Sequence, residues 1–220
     1  MRRSKGHTEA YREAAEAKLR RGEAHPTLGG TLKTGLFGES GEDFFVFLLD
    51  DCGLKETDVC VDYGCGTLRI GVHLLRYLIP GNYWGLDISQ LFLDEGCRLM
   101  GVELTEKARP NLRIISPGTV AEAGRAKPRI VFSIMVAQHI HLDGLNEYIG
   151  NMLSMIGPGG QVIIRSFVSA AAFFTRGSKS YHDLAAIEAT TVSLGGTFMV
   201  LRRGETRSMG DVKVTLRIMR

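Results

Sequence analysis

The 220-residue sequence holds four cysteines, Cys52, Cys60, Cys65 and Cys97, and no two of them are spaced C-x-x-C. That excludes the usual zinc-ribbon and dithiol redox signatures. No uninterrupted apolar run approaches the roughly 18 residues that span a bilayer. The first residues lack the apolar core of a secretory signal. Together these absences imply a reducing, cytoplasmic setting. There is one tryptophan and there are six prolines, with no low-complexity tract and no internal repeat. Collagen-like, disordered and disulfide-scaffold classes are excluded.

What is present is an ordinary globular composition, 44% hydrophobic and 23% charged. A chain of this length buries roughly 70% of its unfolded surface and needs no staple. The net charge of +3 is unevenly spread. Both ends are basic and the long middle is mildly acidic. Basic ends attract phosphates or acidic partners where they are not simply solvated.

Residues 8–21 are rich in Ala, Glu, Lys and Arg and read as a helix with Thr8 as its N-cap. A glycine-rich stretch, 25–41, follows and reads as a loop long enough to be a lid. A second helix is expected at about 41–52, with acids in its first turn. From residue 58 strands alternate with helices. Strands are expected at 58–63, 82–88, 112–116, 129–136 and 161–168, and helices at 68–78, 89–100, 145–156 and near 181–193. Two closing strands, 197–203 and 212–219, read as an antiparallel pair. Alternation of this kind means right-handed βαβ units and a mostly parallel sheet with an antiparallel edge.

Chemistry concentrates in Val59-Cys60-Val61-Asp62-Tyr63-Gly64-Cys65-Gly66-Thr67-Leu68. A strand ends in an acid and enters a Gly-x-Gly turn that opens a helix. Twenty-five residues on, Asp87 ends the next strand, where a carboxylate can take both hydroxyls of a ribose. A dinucleotide site wants a third glycine where Arg69 stands, and Asp62 would repel a diphosphate. An acid there suits a cationic, phosphate-free nucleoside.

These residues resemble the class I S-adenosylmethionine-dependent methyltransferases. The resemblance covers roughly 40–220. It rests on VCVDYGCGTLRIG, YWGLDIS, RIVFSIMVAQHI and MLSMIGPGGQVIIRSF. It implies a three-layer Rossmann-like α/β fold: a seven-stranded, mostly parallel sheet ordered 3-2-1-4-5-7-6 with an antiparallel C-terminal strand. Residues 41–220 would be the methyltransferase domain and 1–40 an N-terminal helical cap and lid. Asp62, Tyr63, Gly64, Cys65 and Gly66 would hold the methionine part of S-adenosylmethionine, Asp87 the ribose, and Ile88 the adenine. Ser133 and Gln138, on or after the fourth strand, would face the cofactor, and His139 is the candidate general base. The sequence departs from the family's pattern at Leu68, where many members have glycine, at Ser116–Thr119 after strand three, and at Arg129 before strand four.

His139 and His141 would share a face if the strand continued, but no third ligand stands near, and no metal is expected. The aromatics Phe44, Phe45 and Phe47 read as helix packing, Trp84 as core, and Phe173, Phe174 and Tyr181 as candidate acceptor contacts. The acceptor implied is a small molecule, acidic if the basic ends meet at the pocket. Nucleic acid is open but not favoured, and no membrane is involved. Three rival readings stand: a non-catalytic methyltransferase-like binding protein, an RNA methyltransferase, and a nicotinamide-dependent oxidoreductase.

Overall fold

The computed structural model describes residues 7–23, 41–176, 179–208 and 210–220. Helix α1 (His7–Arg20) is followed by α2 (Glu42–Asp50). Then come β1 (Cys60–Tyr63), α3 (Gly71–Tyr77), β2 (Tyr83–Asp87), α4 (Gln90–Met100), α5 (Val102–Ala108), β3 (Asn111–Ile114), α6 (Pro117–Arg125) and β4 (Ile130–Ile134). Helix α7 (Leu145–Met155) leads to β5 (Gln161–Ser169). The short strands β6 (Phe174–Arg176) and β7 (Lys179–Tyr181) precede α8 (Leu184–Ser193), β8 (Thr197–Thr206) and β9 (Asp211–Met219).

Seven strands form one sheet in the order β3-β2-β1-β4-β5-β9-β8. The first five are mutually parallel, and β9 runs antiparallel to both β5 and β8. This is the topology and fold class expected from the sequence. The central strands read as unbroken apolar runs because both of their faces are covered. Val61, Val131 and Val162 turn to one side, onto α6, α7 and α8. Cys60, Ile130 and Ile163 turn to the other, onto α2, α3, α4 and α5.

Several boundaries differ from expectation, each for a local reason. The helix expected from Leu68 starts at Gly71, because residues 67–70 are still turning out of β1. The strand expected through Val136 stops at Ile134, and Ala137–His139 forms a 3-10 turn. Thr8 is not a cap but lies inside α1. The segment Ser116–Thr119, noted as a departure after strand three, is the capped start of α6: Ser116 Oγ accepts from Thr119 N, and Thr119 Oγ1 accepts from Ser116 N. Helices α5 and α6 and the β6–β7 hairpin had no sequence expectation. Apart from Gly41, the glycine-rich stretch 25–41 lies outside the described residues.

Part of the C-terminal basic charge is engaged locally. Arg202 pairs with Asp51 at 2.7 Å, Arg217 donates to the Asp51 carbonyl, and Arg207 pairs with Asp211. The expectation that both basic ends meet at the pocket therefore finds no free C-terminal arginine in these three.

Candidate functional site

A cavity of about 560 Å³ opens at the carboxyl ends of β1, β2 and β4. Ligands of open α/β sheets bind there, where the strand order reverses. Its volume suits a cofactor or drug-sized molecule.

Its floor is the turn after β1. Gly64 takes φ +87°, and a Cβ there would lie 2.3 Å from Val136 Cγ2. Both the left-handed backbone and the close approach of the β4 end require glycine. Gly66 has φ +55° and Leu68 φ +62°. Leu68 thus holds the conformation that a third glycine would hold. It is fully buried, and a Cβ on Gly96 would come within 2.8 Å of it, so α4 makes room for the leucine with a glycine of its own. The turn is tied to the neighbouring strand by Gly64 N and Cys65 N, both donating to the Leu86 carbonyl.

Asp87 ends β2 and is 6% exposed. Its two carboxylate oxygens accept from Gly66 N at 2.8 Å and Ser89 N at 3.0 Å. Each oxygen keeps a second lone pair for a ligand. Burial lifts the carboxyl from 3.8 to about 6, against the pull of these backbone donors. Asp62 is buried more deeply and accepts from the Tyr83 hydroxyl at 3.1 Å. Burial lifts it further, to about 8, against that hydrogen bond. Both groups stay ionised most readily beside a cation.

The remaining expected residues divide by what their side chains do. Tyr63 lines the cavity, but its ring packs edge-on to Tyr148 and its hydroxyl accepts from Asn151 of α7 at 3.0 Å. The Cys65 thiol is buried under the turn near Gly85. Ile88, with Phe92 and Ile115, gives the cavity an apolar wall beside Asp87. Ser133 is fully buried, does not line the cavity, and donates to the Tyr63 carbonyl at 2.7 Å. It supports the turn from behind. Ile134, Met135 and Val136 line the cavity in its place. Met135 has φ +58°, a strained value for a side chain of this size, which re-aims the chain as β4 ends.

Gln138 and His139 lie together in the 3-10 turn, with the amide 3.3 Å from His139 Nε2. Tyr11 of α1 stacks on the His139 ring with centroids 3.8 Å apart. Ser89 donates to Glu16 of α1 at 2.7 Å. Helix α1 therefore touches both the β2 and the β4 sides of the cavity, and Thr8 and Tyr11 line it. His141 instead points out toward Asp143, 3.4 Å away, so the two histidines do not share a strand face. Among the described residues no three His, Cys, Asp or Glu side chains cluster as a metal site would need.

Sequence reasoning missed Arg69, Phe167 and Lys179, which also line the cavity. Arg69 follows the glycine turn and could have been flagged. Lys179 belongs to the β6–β7 hairpin, whose short strands carry no periodic signal. Phe44 and Phe47 pack with Phe132 in the core, as helix packing requires. Phe174 and Tyr181 stack on each other at 4.6 Å across the hairpin and do not line the cavity.

No family model matches the sequence. Solved structures match over nearly the whole chain. Magnesium protoporphyrin IX methyltransferase from Synechocystis PCC 6803, with bound SAH, aligns with a TM-score of 0.67 at 16% identity, covering 97% of each chain. The Burkholderia thailandensis 1,6-didemethyltoxoflavin-N1-methyltransferase, with its acceptor and S-adenosylhomocysteine bound, aligns at 0.63 and 12% identity, over 99% of this chain and 92% of that one. An S-adenosylmethionine-dependent methyltransferase from Clostridium acetobutylicum aligns at 0.58 and 14% identity, over 94% and 98%. The chain has the class I S-adenosylmethionine-dependent methyltransferase fold.

Proposed function

We propose that this chain is an S-adenosylmethionine-dependent methyltransferase acting on a small-molecule acceptor. The observation that carries the reading is the Asp87 carboxylate. It is buried at the rim of the glycine turn and oriented by Gly66 N and Ser89 N, with lone pairs left toward the cavity. Such an acid suits a ribose diol, while Asp62, at the end of β1, opposes a diphosphate. The nearby Asp62 and the apolar Ile88, Phe92 and Ile115 fit an ammonium group and an adenine in the same cavity.

When bound, the cofactor supplies an electrophilic methyl group on a sulfonium. The chain's residues bind, orient and exclude water. Asp87 holds the ribose, the Tyr63–Gly66 turn carries the methionine part, and Asp62 faces its ammonium. Gln138 and His139 stand at the end of β4. His139 takes the acceptor's proton where one must leave, and the Tyr11 ring stacked on it keeps water from that face. Helix α1 serves as the cap proposed for residues 1–40, latched by the Glu16–Ser89 hydrogen bond, over a methyltransferase domain of 41–220. The four cysteines are free thiols, which suits a reducing compartment.

The test is transfer of label. Methyl-labelled S-adenosylmethionine is incubated with the protein and separate small-molecule and RNA fractions of a cell extract. Label in the small-molecule fraction supports the reading. Label in RNA alone moves the acceptor class, and cofactor binding without transfer favours a non-catalytic binding protein.

A further inference from the structure

Among the described residues two cationic side chains, Arg69 and Lys179, line the cavity, and they stand in different circumstances. Arg69 lies beside the Asp62 and Asp43 carboxylates, which act against the burial that lowers its pKa. Lys179 opens β7, and no carboxylate among the described residues pairs with its ammonium. Glu147, the acid that lines the cavity besides Asp62 and Asp87, is exposed.

The chain after Lys179 is pinned at every residue. Ser180 and Tyr181 are buried, and Tyr181 stacks on Phe174. His182 is 1% exposed and donates from Nε2 to the Ile140 carbonyl at 2.8 Å, while its own carbonyl accepts from Ser169 N. Asp183 caps α8 by accepting from Ala186 N at 2.8 Å. The lysine is thus held on a braced strand, docked through His182 to the turn that carries Gln138 and His139.

The cavity is consequently polarised. Its buried acids, Asp62 and Asp87, belong to the β1–β2 side. Phe167, Ile134, Met135 and Ile140 add apolar wall, and Lys179 adds a cation that no carboxylate among the described residues pairs with. A ligand spanning that part needs an apolar body and a negative group. Taking the methyltransferase reading as its basis, we infer that Lys179 is the residue that selects the acceptor, by receiving a carboxylate or phosphate on an otherwise apolar small molecule. An anion lying between this ammonium and a sulfonium is stabilised by both. A neutral acceptor leaves two cations facing across one cavity.

The experiment titrates benzoate, phenyl phosphate and neutral benzamide into protein saturated with S-adenosylmethionine, and into protein saturated with S-adenosylhomocysteine. Wild-type protein should bind benzoate or phenyl phosphate at least tenfold more tightly than benzamide, and more tightly with the sulfonium present. The preferred anion separates a carboxylate from a phosphate acceptor. Lys179→Met should bring the preference below twofold with cofactor affinity unchanged, and Lys179→Arg should keep most of it. Equal binding of the anions and benzamide by the wild type, or a preference that survives in Lys179→Met, overturns the inference. Failure of S-adenosylmethionine itself to bind overturns instead the reading beneath it.

Discussion

The two halves of the cavity are built differently. The β1–β2 half rests on backbone: a glycine turn, and amide groups that orient one of its two buried carboxylates. The half formed by the end of β4, the β6–β7 hairpin and α1 is side chain: Gln138, His139, Lys179 and Tyr11, contributed by segments far apart in sequence. On the proposed function, a cofactor common to many enzymes would be held by geometry that tolerates little variation, and an acceptor peculiar to one enzyme would be met by side chains that can change without disturbing the sheet. Fold and specificity are thereby separable within one cavity.

The sharpest way to break the first half is Gly64→Val. The substitution puts a branched Cβ into Val136 at a left-handed φ. Strain and overpacking together cost about 3 kcal/mol, so cofactor binding should weaken roughly 100-fold. Calorimetry with S-adenosylhomocysteine measures it, with circular dichroism to confirm the fold. Asp87→Ala should cost about 2 kcal/mol, some 30-fold, by stranding the ribose hydroxyls. An unchanged dissociation constant would leave Asp87 only the task of holding Gly66 and Ser89. Leu68→Gly relieves about 1 kcal/mol of left-handed strain but gives up about 2–3 kcal/mol of burial against Gly96. A net loss of about 1–2 kcal/mol should appear in thermal melting, and a gain would mean that the strain dominates. At the α1 end, Glu16→Gln should cost the latch about 1 kcal/mol, speeding hydrogen exchange in residues 7–20 roughly fivefold while leaving the sheet unchanged.

Acidity separates the halves as well. Asp62 and Asp87 have folded-state pKa values raised from 3.8 to about 8 and about 6. For a carboxyl raised on folding, the stability it contributes is full below its unfolded value and is lost as pH rises through its folded one. The free protein should therefore lose stability between about pH 4 and 8, and Asp62→Asn should flatten the upper part of that slope. Cofactor binding runs the other way: an ammonium favours the ionised carboxylate, so affinity should rise from pH 6 to 9 in the wild type and far less in Asp62→Asn. A pH-independent affinity would remove Asp62 from the ammonium.

The legibility of the sequence follows the same division. Strand alternation, the glycine turn and Asp87 were readable because they are contiguous and each satisfies a backbone rule. Ser133, expected to face the cofactor, stands behind the turn instead, because the sequence does not show that its hydroxyl is spent on the Tyr63 carbonyl. The fourth strand ends two residues short of the expected Val136, since apolar character continues past Ile134 while the left-handed Met135 ends the strand. Lys179 was invisible: three-residue strands are too short to show a period, and its place depends on His182 reaching Ile140. The summed charge of the termini says nothing of which arginines find Asp51 or Asp211.

The most direct measurement is calorimetric titration of the free protein with S-adenosylmethionine, S-adenosylhomocysteine and NAD in turn. The expected result is one site per chain for each of the first two, weakened by Asp87→Ala, and no heat of binding with NAD. Binding of NAD without S-adenosylmethionine would contradict the proposed function and turn the same carboxylate toward a dinucleotide ribose.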